Sequence, residues 1–117
     1  MLERQNGTNQ RVVMTITTFA DIDAARQFGA QLVEAQLVAC VNLVPGVESI
    51  YRWKGKVEKE PEIIAVMKTT ENRLEDLEAW VQGKHPYYEP EFLVLPVDAG
   101  ASGYLGWVRE SVGREES

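Results

Sequence analysis

A chain of 117 residues, 44% apolar and 26% charged, fits one soluble globular domain and is too short for two. Its 12 basic against 18 acidic residues leave a net charge of −6, which argues against nucleic acid or an anionic membrane as a partner and favours cations. One cysteine, Cys40, excludes an intramolecular disulfide and a cysteine-cluster metal site within one protomer.

Residues 1–10 lack the apolar core of a secretory signal and are expected to form a disordered tail on a cytoplasmic protein. No apolar run approaches membrane-spanning length. Residues 11–18, Arg-Val-Val-Met-Thr-Ile-Thr-Thr, are rich in β-branched side chains and predict a first strand. From Asp21, an N-cap candidate, Ala25, Phe28, Leu32 and Val33 recur at helical spacing, giving a helix that ends near Leu37.

Residues 38–44, Val-Ala-Cys-Val-Asn-Leu-Val, are apolar with no helical period, as in a strand covered on both faces. Pro45-Gly46 then marks a bulge, beyond which Val47, Ser49, Tyr51 and Trp53 alternate with Glu48, Ile50, Arg52 and Lys54. A strand of about twenty residues far exceeds the usual ~5 to 6. A domain of this size cannot cover its far end, so Tyr51 and Trp53 need a partner.

Lys54-Gly55 is the turn of a long hairpin, residues 56–60 its solvated, charged flank, and residues 62–69 the returning strand. Thr70 can cap a second helix with Leu74, Leu77 and Val81 on one face, stopped by Gly83. Two prolines stiffen the connection Lys-His-Pro-Tyr-Tyr-Glu-Pro at 84–90, and residues 92–97 are a fourth strand. Ser102 can cap a short final helix carrying Leu105, Val108 and Val112, with Tyr104 and Trp107 beside them. The order βαββαβ is that of an α+β, ferredoxin-like sandwich with an extended hairpin, a fold that hosts many functions.

With these elements placed, several words in the chain are similar to one family, the CutA divalent-cation tolerance proteins. They are Leu-Val-Ala-Cys-Val-Asn at 37–42, Pro-Gly at 45–46, Ser-Ile-Tyr-Arg-Trp-Lys-Gly-Lys at 49–56, Lys-Thr-Thr at 68–70, His-Pro-Tyr at 85–87, Pro-Glu at 90–91 and Leu-Pro-Val at 95–97. The resemblance covers residues 11–112, leaving 113–117 as a C-terminal tail. It implies a homotrimer in which each hairpin packs on a neighbour's sheet, an architecture shared with the PII signal proteins, and a role in tolerance to copper and other divalent cations. The copper site proposed in the family uses a first-strand cysteine and a histidine pair before the Pro-Tyr word. The aligned positions here hold Thr17, Lys84 and His85, and Tyr88 replaces the family's glutamate, with Glu89 one place later.

His85, the sole histidine, is the candidate ligand for copper(II) or another divalent cation, with Glu89, Glu91 and Asp98 as supplementary carboxylates. The simpler reading is that His85 caps its helix or ties down its loop. Cys40 in an apolar strand is expected to pack as a small hydrophobe rather than act as a soft ligand or redox-sensitive thiol. Asn42 needs a hydrogen-bond partner across strands or protomers, and an intersheet salt bridge is preferred for Lys68 over an anion site. Tyr51, Trp53, Tyr87 and Trp107 are candidate interface residues.

The expected function is thus a cytoplasmic, homotrimeric cation-response protein that binds its ion without catalysis. The alternative is a PII-like module holding a small anionic effector between protomers. An enzyme ranks last, because no triad or metal-hydrolase spacing is present.

Overall fold

The computed structural model describes residues 1–6 and 10–113. Strand β1 (Leu2–Arg4) precedes β2 (Val12–Phe19), helix α1 (Ile22–Glu34), the hairpin β3 (Cys40–Trp53) and β4 (Lys56–Thr70), a 3-10 turn (Glu71–Arg73), α2 (Leu74–Lys84), β5 (Leu93–Pro96), β6 (Ala99–Ala101) and α3 (Ser102–Val112). Four strands form an antiparallel sheet in the order β3-β4-β2-β5. The β-branched strand β2 and the apolar half of β4 are central, as the ferredoxin-like reading requires.

The side-chain alternation of the strands splits the core into two layers. Phe19, Ile63, Ala65 and Met67 pack with Ala25, Phe28 and Leu32 of α1 and with Leu77 and Val81 of α2. On the opposite face, Val12 and Ala39 pack with Leu105, Val108 and Val112 of α3, which covers only one end of the sheet. The remainder of that face is open within the protomer.

Turn chemistry matches the sequence where it is local. Asp21 accepts the Ala24 N–H at 2.9 Å and caps α1. Register slips between Val44 and Val47, with Gly46 at φ +78°, so Pro45-Gly46 is a bulge. Lys54 and Gly55 both have positive φ, +51° and +82°, as a two-residue turn matched to strand twist requires.

Several expectations are corrected. The run at 38–44 is not covered on both faces: Val38 is buried, but Val44 is 45% exposed, because β3 is an edge strand whose second face has no cover in the protomer. The charged flank at 56–60 is part of β4 rather than a tip outside it. Thr70 and Ser102 make no capping bond to their helices; the Thr70 hydroxyl meets Asn72 Oδ1 at 2.6 Å, and Ala101, not Ser102, is the N-cap of α3.

The tail expected at residues 1–10 is ordered in part, since Leu2–Arg4 pairs antiparallel with Ala99–Ala101. The Gln5 amide explains how so polar a segment is held: it accepts the Val12 N–H at 2.6 Å and donates to the carbonyls of Val12 and Val97 at 2.9 and 2.8 Å. Arg109 Nη2 also bridges to Glu3 Oε2 at 2.8 Å. Residues 7–9 of that tail and 114–117 of the C-terminal tail lie outside the described residues.

Candidate functional site

Two regions carry the residues singled out in the sequence. The first is the loop after α2. His85 ends that helix, its N–H returning to the Val81 carbonyl at 3.0 Å while its own backbone turns extended ahead of Pro86. The side chain enters the core and is 8% exposed. It stacks on Phe19 at 4.4 Å between ring centroids, meets Phe28 edge-on at 5.8 Å, and lies 4.9 Å from the Tyr87 ring.

Both imidazole nitrogens are engaged. Nδ1 accepts the Tyr87 N–H at 3.0 Å, which leaves the proton on Nε2 to be donated to the Thr18 carbonyl at 2.7 Å. The Tyr87 hydroxyl in turn donates to Glu62 Oε2 at 2.7 Å, tying the loop to the hairpin. Burial lowers the His85 pKa, opposed by the Thr18 carbonyl and the Glu62 charge; burial and then Glu62 raise that of Tyr87.

A metal ion needs an imidazole lone pair, and here none is free. Glu89 and Glu91 are exposed, and among the described residues no group of three or more His, Cys, Asp or Glu is placed to hold an ion. The other two aligned family positions fit no better. Thr17 is fully buried on the helix-facing side, and Lys84 Nζ lies over the Trp80 ring at 5.0 Å. The expected His85 site, with Glu89 and Glu91, is therefore not formed in the protomer; His85 is a loop anchor.

The second region is the open face of the sheet and the hairpin that extends it. Tyr51 and Trp53 remain 42% and 51% exposed, and Tyr104 and Trp107 of α3 sit with ring centroids 5.6 Å apart, both exposed. Leu93, Val94 and Leu95 are also exposed, and sequence reasoning did not single them out. The signal lay in topology: β5 is the other edge of the sheet.

A polar group interrupts this face. Lys68 Nζ donates to Asn42 Oδ1 and lies 3.6 Å from Cys40 Sγ. Asn42 thus has its partner across the hairpin, whereas the salt bridge expected of Lys68 is replaced by an amide and a thiol. Cys40 is only partly buried, and the Tyr104 phenol faces it. Among the described residues no histidine or carboxylate is bonded to that thiol.

This architecture defines a class: an antiparallel ferredoxin-like α+β domain with an overlong hairpin and an apolar second sheet face. The family model described as CutA1 divalent ion tolerance protein matches residues 13–111. The divalent-cation tolerance protein CutA of Thermus thermophilus is 41% identical over 100 residues, covering 86% of this chain and 97% of that one. The chloroplastic CutA protein of Arabidopsis thaliana is 36% identical over 94% of this chain and 60% of its own length. The solved structure of CutA from Synechococcus elongatus superposes with a TM-score of 0.89 at 35% identity, covering 97% of this chain and 96% of that one. The chain belongs to the CutA1 divalent ion tolerance family.

Proposed function

We propose that this protein acts as a cytoplasmic homotrimer in the response to divalent cations, copper(II) among them, taking up or sensing the ion without catalysis. The observation that carries the reading is the family match across nearly the whole folded domain, 13–111, together with its relatives' name, divalent-cation tolerance protein.

The trimer is supported by what one protomer leaves uncovered. Ile50, Tyr51, Trp53, Leu93, Val94 and Leu95 are all exposed, large apolar side chains on both edge strands that further copies would take out of water. Edge strands β3 and β5 stand at opposite sides of the sheet, ready to meet other copies. A free thiol at Cys40 accords with a reducing compartment.

Both His85 nitrogens are bonded within the fold, which favours ion coordination elsewhere. Calorimetric titration of metal-stripped protein with copper(II) and zinc, with its mass measured in parallel, tests the reading. Saturable uptake at a fixed number per trimer supports it, and absence of uptake refutes the cation role. The second reading, a PII-like module for a small anionic effector, has one observation in its favour: the Lys68 ammonium on an otherwise apolar face. Binding of adenine nucleotides without metal uptake would select it.

A further inference from the structure

The strand registers set the open face in rows. Leu95, Met14, Lys68 and Cys40 form one row across the four strands, Leu93, Ile16, Val66 and Asn42 the next, and Thr18, Ile64 and Val44 the third. Lys68 is the one charged side chain in these rows. Its place beside Cys40 is set by the bulge. The register at the hairpin tip, continued without the slip between Val44 and Val47, would put Thr69 opposite Cys40 and leave Cys40 on the face away from Lys68.

The cluster is built from donors. The ammonium has three N–H groups, of which Asn42 Oδ1 takes one and the weakly accepting Cys40 Sγ lies near another. Among the described residues no carboxylate forms an ion pair with Lys68. Because Asn42 turns its oxygen to Lys68, its NH2 group points away, and no described residue accepts from it. The neighbour of Lys68 across the sheet, Met14, and its same-face neighbour along β4, Val66, offer the ammonium no acceptor. Covering this face with a second copy removes the water that solvates the charge, and a charge so enclosed requires an anion.

We infer that Lys68 and Asn42 bind a small oxyanion, through the oxygens of a carboxylate or phosphate group, at the margin of the face that a second copy covers. The covering copy rests on the homotrimer proposed above; the donor set belongs to one chain. Charge-assisted bonds from Lys68 supply the affinity, and the Asn42 amide supplies direction.

The test is a titration of the full-length, metal-free protein with inorganic phosphate and, separately, with acetate, each against chloride at matched ionic strength. The backbone amide resonance at position 42, present in every variant, reports binding, and sedimentation reports assembly. The expected result is a saturable shift with at least one anion, weakened about tenfold or more in Lys68→Met and in Asn42→Ala, with the assembly state retained. Saturation by phosphate alone assigns a phosphoryl ligand, and by acetate alone a carboxylate. No saturable shift with either anion overturns the site, as does a shift that persists in both variants. A Lys68→Met variant that weakens assembly equally in chloride, phosphate and acetate also overturns it, since Lys68 then pairs with a neighbour's carboxylate. A protein that sediments as a monomer removes the homotrimer reading, while the Asn42 resonance still decides whether the anion binds.

Discussion

His85 Nε2 lies 2.7 Å from the carbonyl oxygen of Thr18, joining the loop after α2 to the end of central strand β2. This bond, with the Phe19 stack, makes the family's surviving candidate ligand a structural residue here. His85→Ala leaves the Thr18 carbonyl and the Tyr87 N–H unpaired beside a cavity, and a loss of about 2 to 4 kcal/mol is expected. Urea unfolding at fixed protein concentration measures it. Copper stoichiometry should be unchanged in the variant, and its loss would return His85 to the metal site.

Acid should weaken the fold through the same residue. Burial holds the His85 pKa below the ordinary 6.5, so on acidification the unfolded chain takes up the proton first. The stabilising effect of the neutral ring is fully present above the unfolded value. It is lost as pH falls from about 6.5 through the lowered folded value. Urea midpoints between about pH 8 and pH 5 should decline in that window, and His85→Gln should flatten the decline; an equal slope in both proteins would reject the assignment.

Trp53 is 51% exposed beside the hairpin turn, and the proposed trimer buries it against a neighbour. Trp53→Ala should then cost about 3 kcal/mol or more per site, the range for truncating a buried aromatic anchor. Sedimentation velocity over a dilution series should show dissociation at higher concentration than for the parent protein. An undiminished assembly with unchanged melting would show that Trp53 anchors nothing.

Gln5 substitutes for a missing stretch of strand pairing at Val12. Gln5→Ala removes four hydrogen bonds and should destabilise the protein by about 1 to 3 kcal/mol while speeding amide exchange across residues 99–101. Unaltered exchange there would mean that β1 is held by its ladder and the Arg109–Glu3 bridge alone.

The central fold was legible because its signals are local. Alternation marked the strands, Asp21 the start of α1, and Pro45-Gly46 and Lys54-Gly55 the bulge and turn. Features made by distant residues were not. Helix α1 stops at Glu34 without a glycine: Gln36 takes φ +59°, and the Leu37 N–H returns to the Leu32 carbonyl at 3.0 Å. Strand β1 has no apolar period and depends on Gln5 reaching Val12 and Val97. At the candidate site, spacing could nominate His85 but not reveal that Phe19, Thr18 and Tyr87 occupy every side of its ring. Lys68 was paired wrongly because its neighbour depends on a one-residue register slip more than twenty positions away.

Burial of Tyr51, Trp53, Leu93 and the open rows of the sheet depends on other copies covering this face. The mass of the full-length, metal-stripped protein in solution, by sedimentation equilibrium, is therefore the most direct measurement. A single species at three times the 13.2 kDa chain mass, persisting on dilution, is the expected result. A stable species at the mass of one chain, with Trp53 still solvent-accessible, would contradict the account.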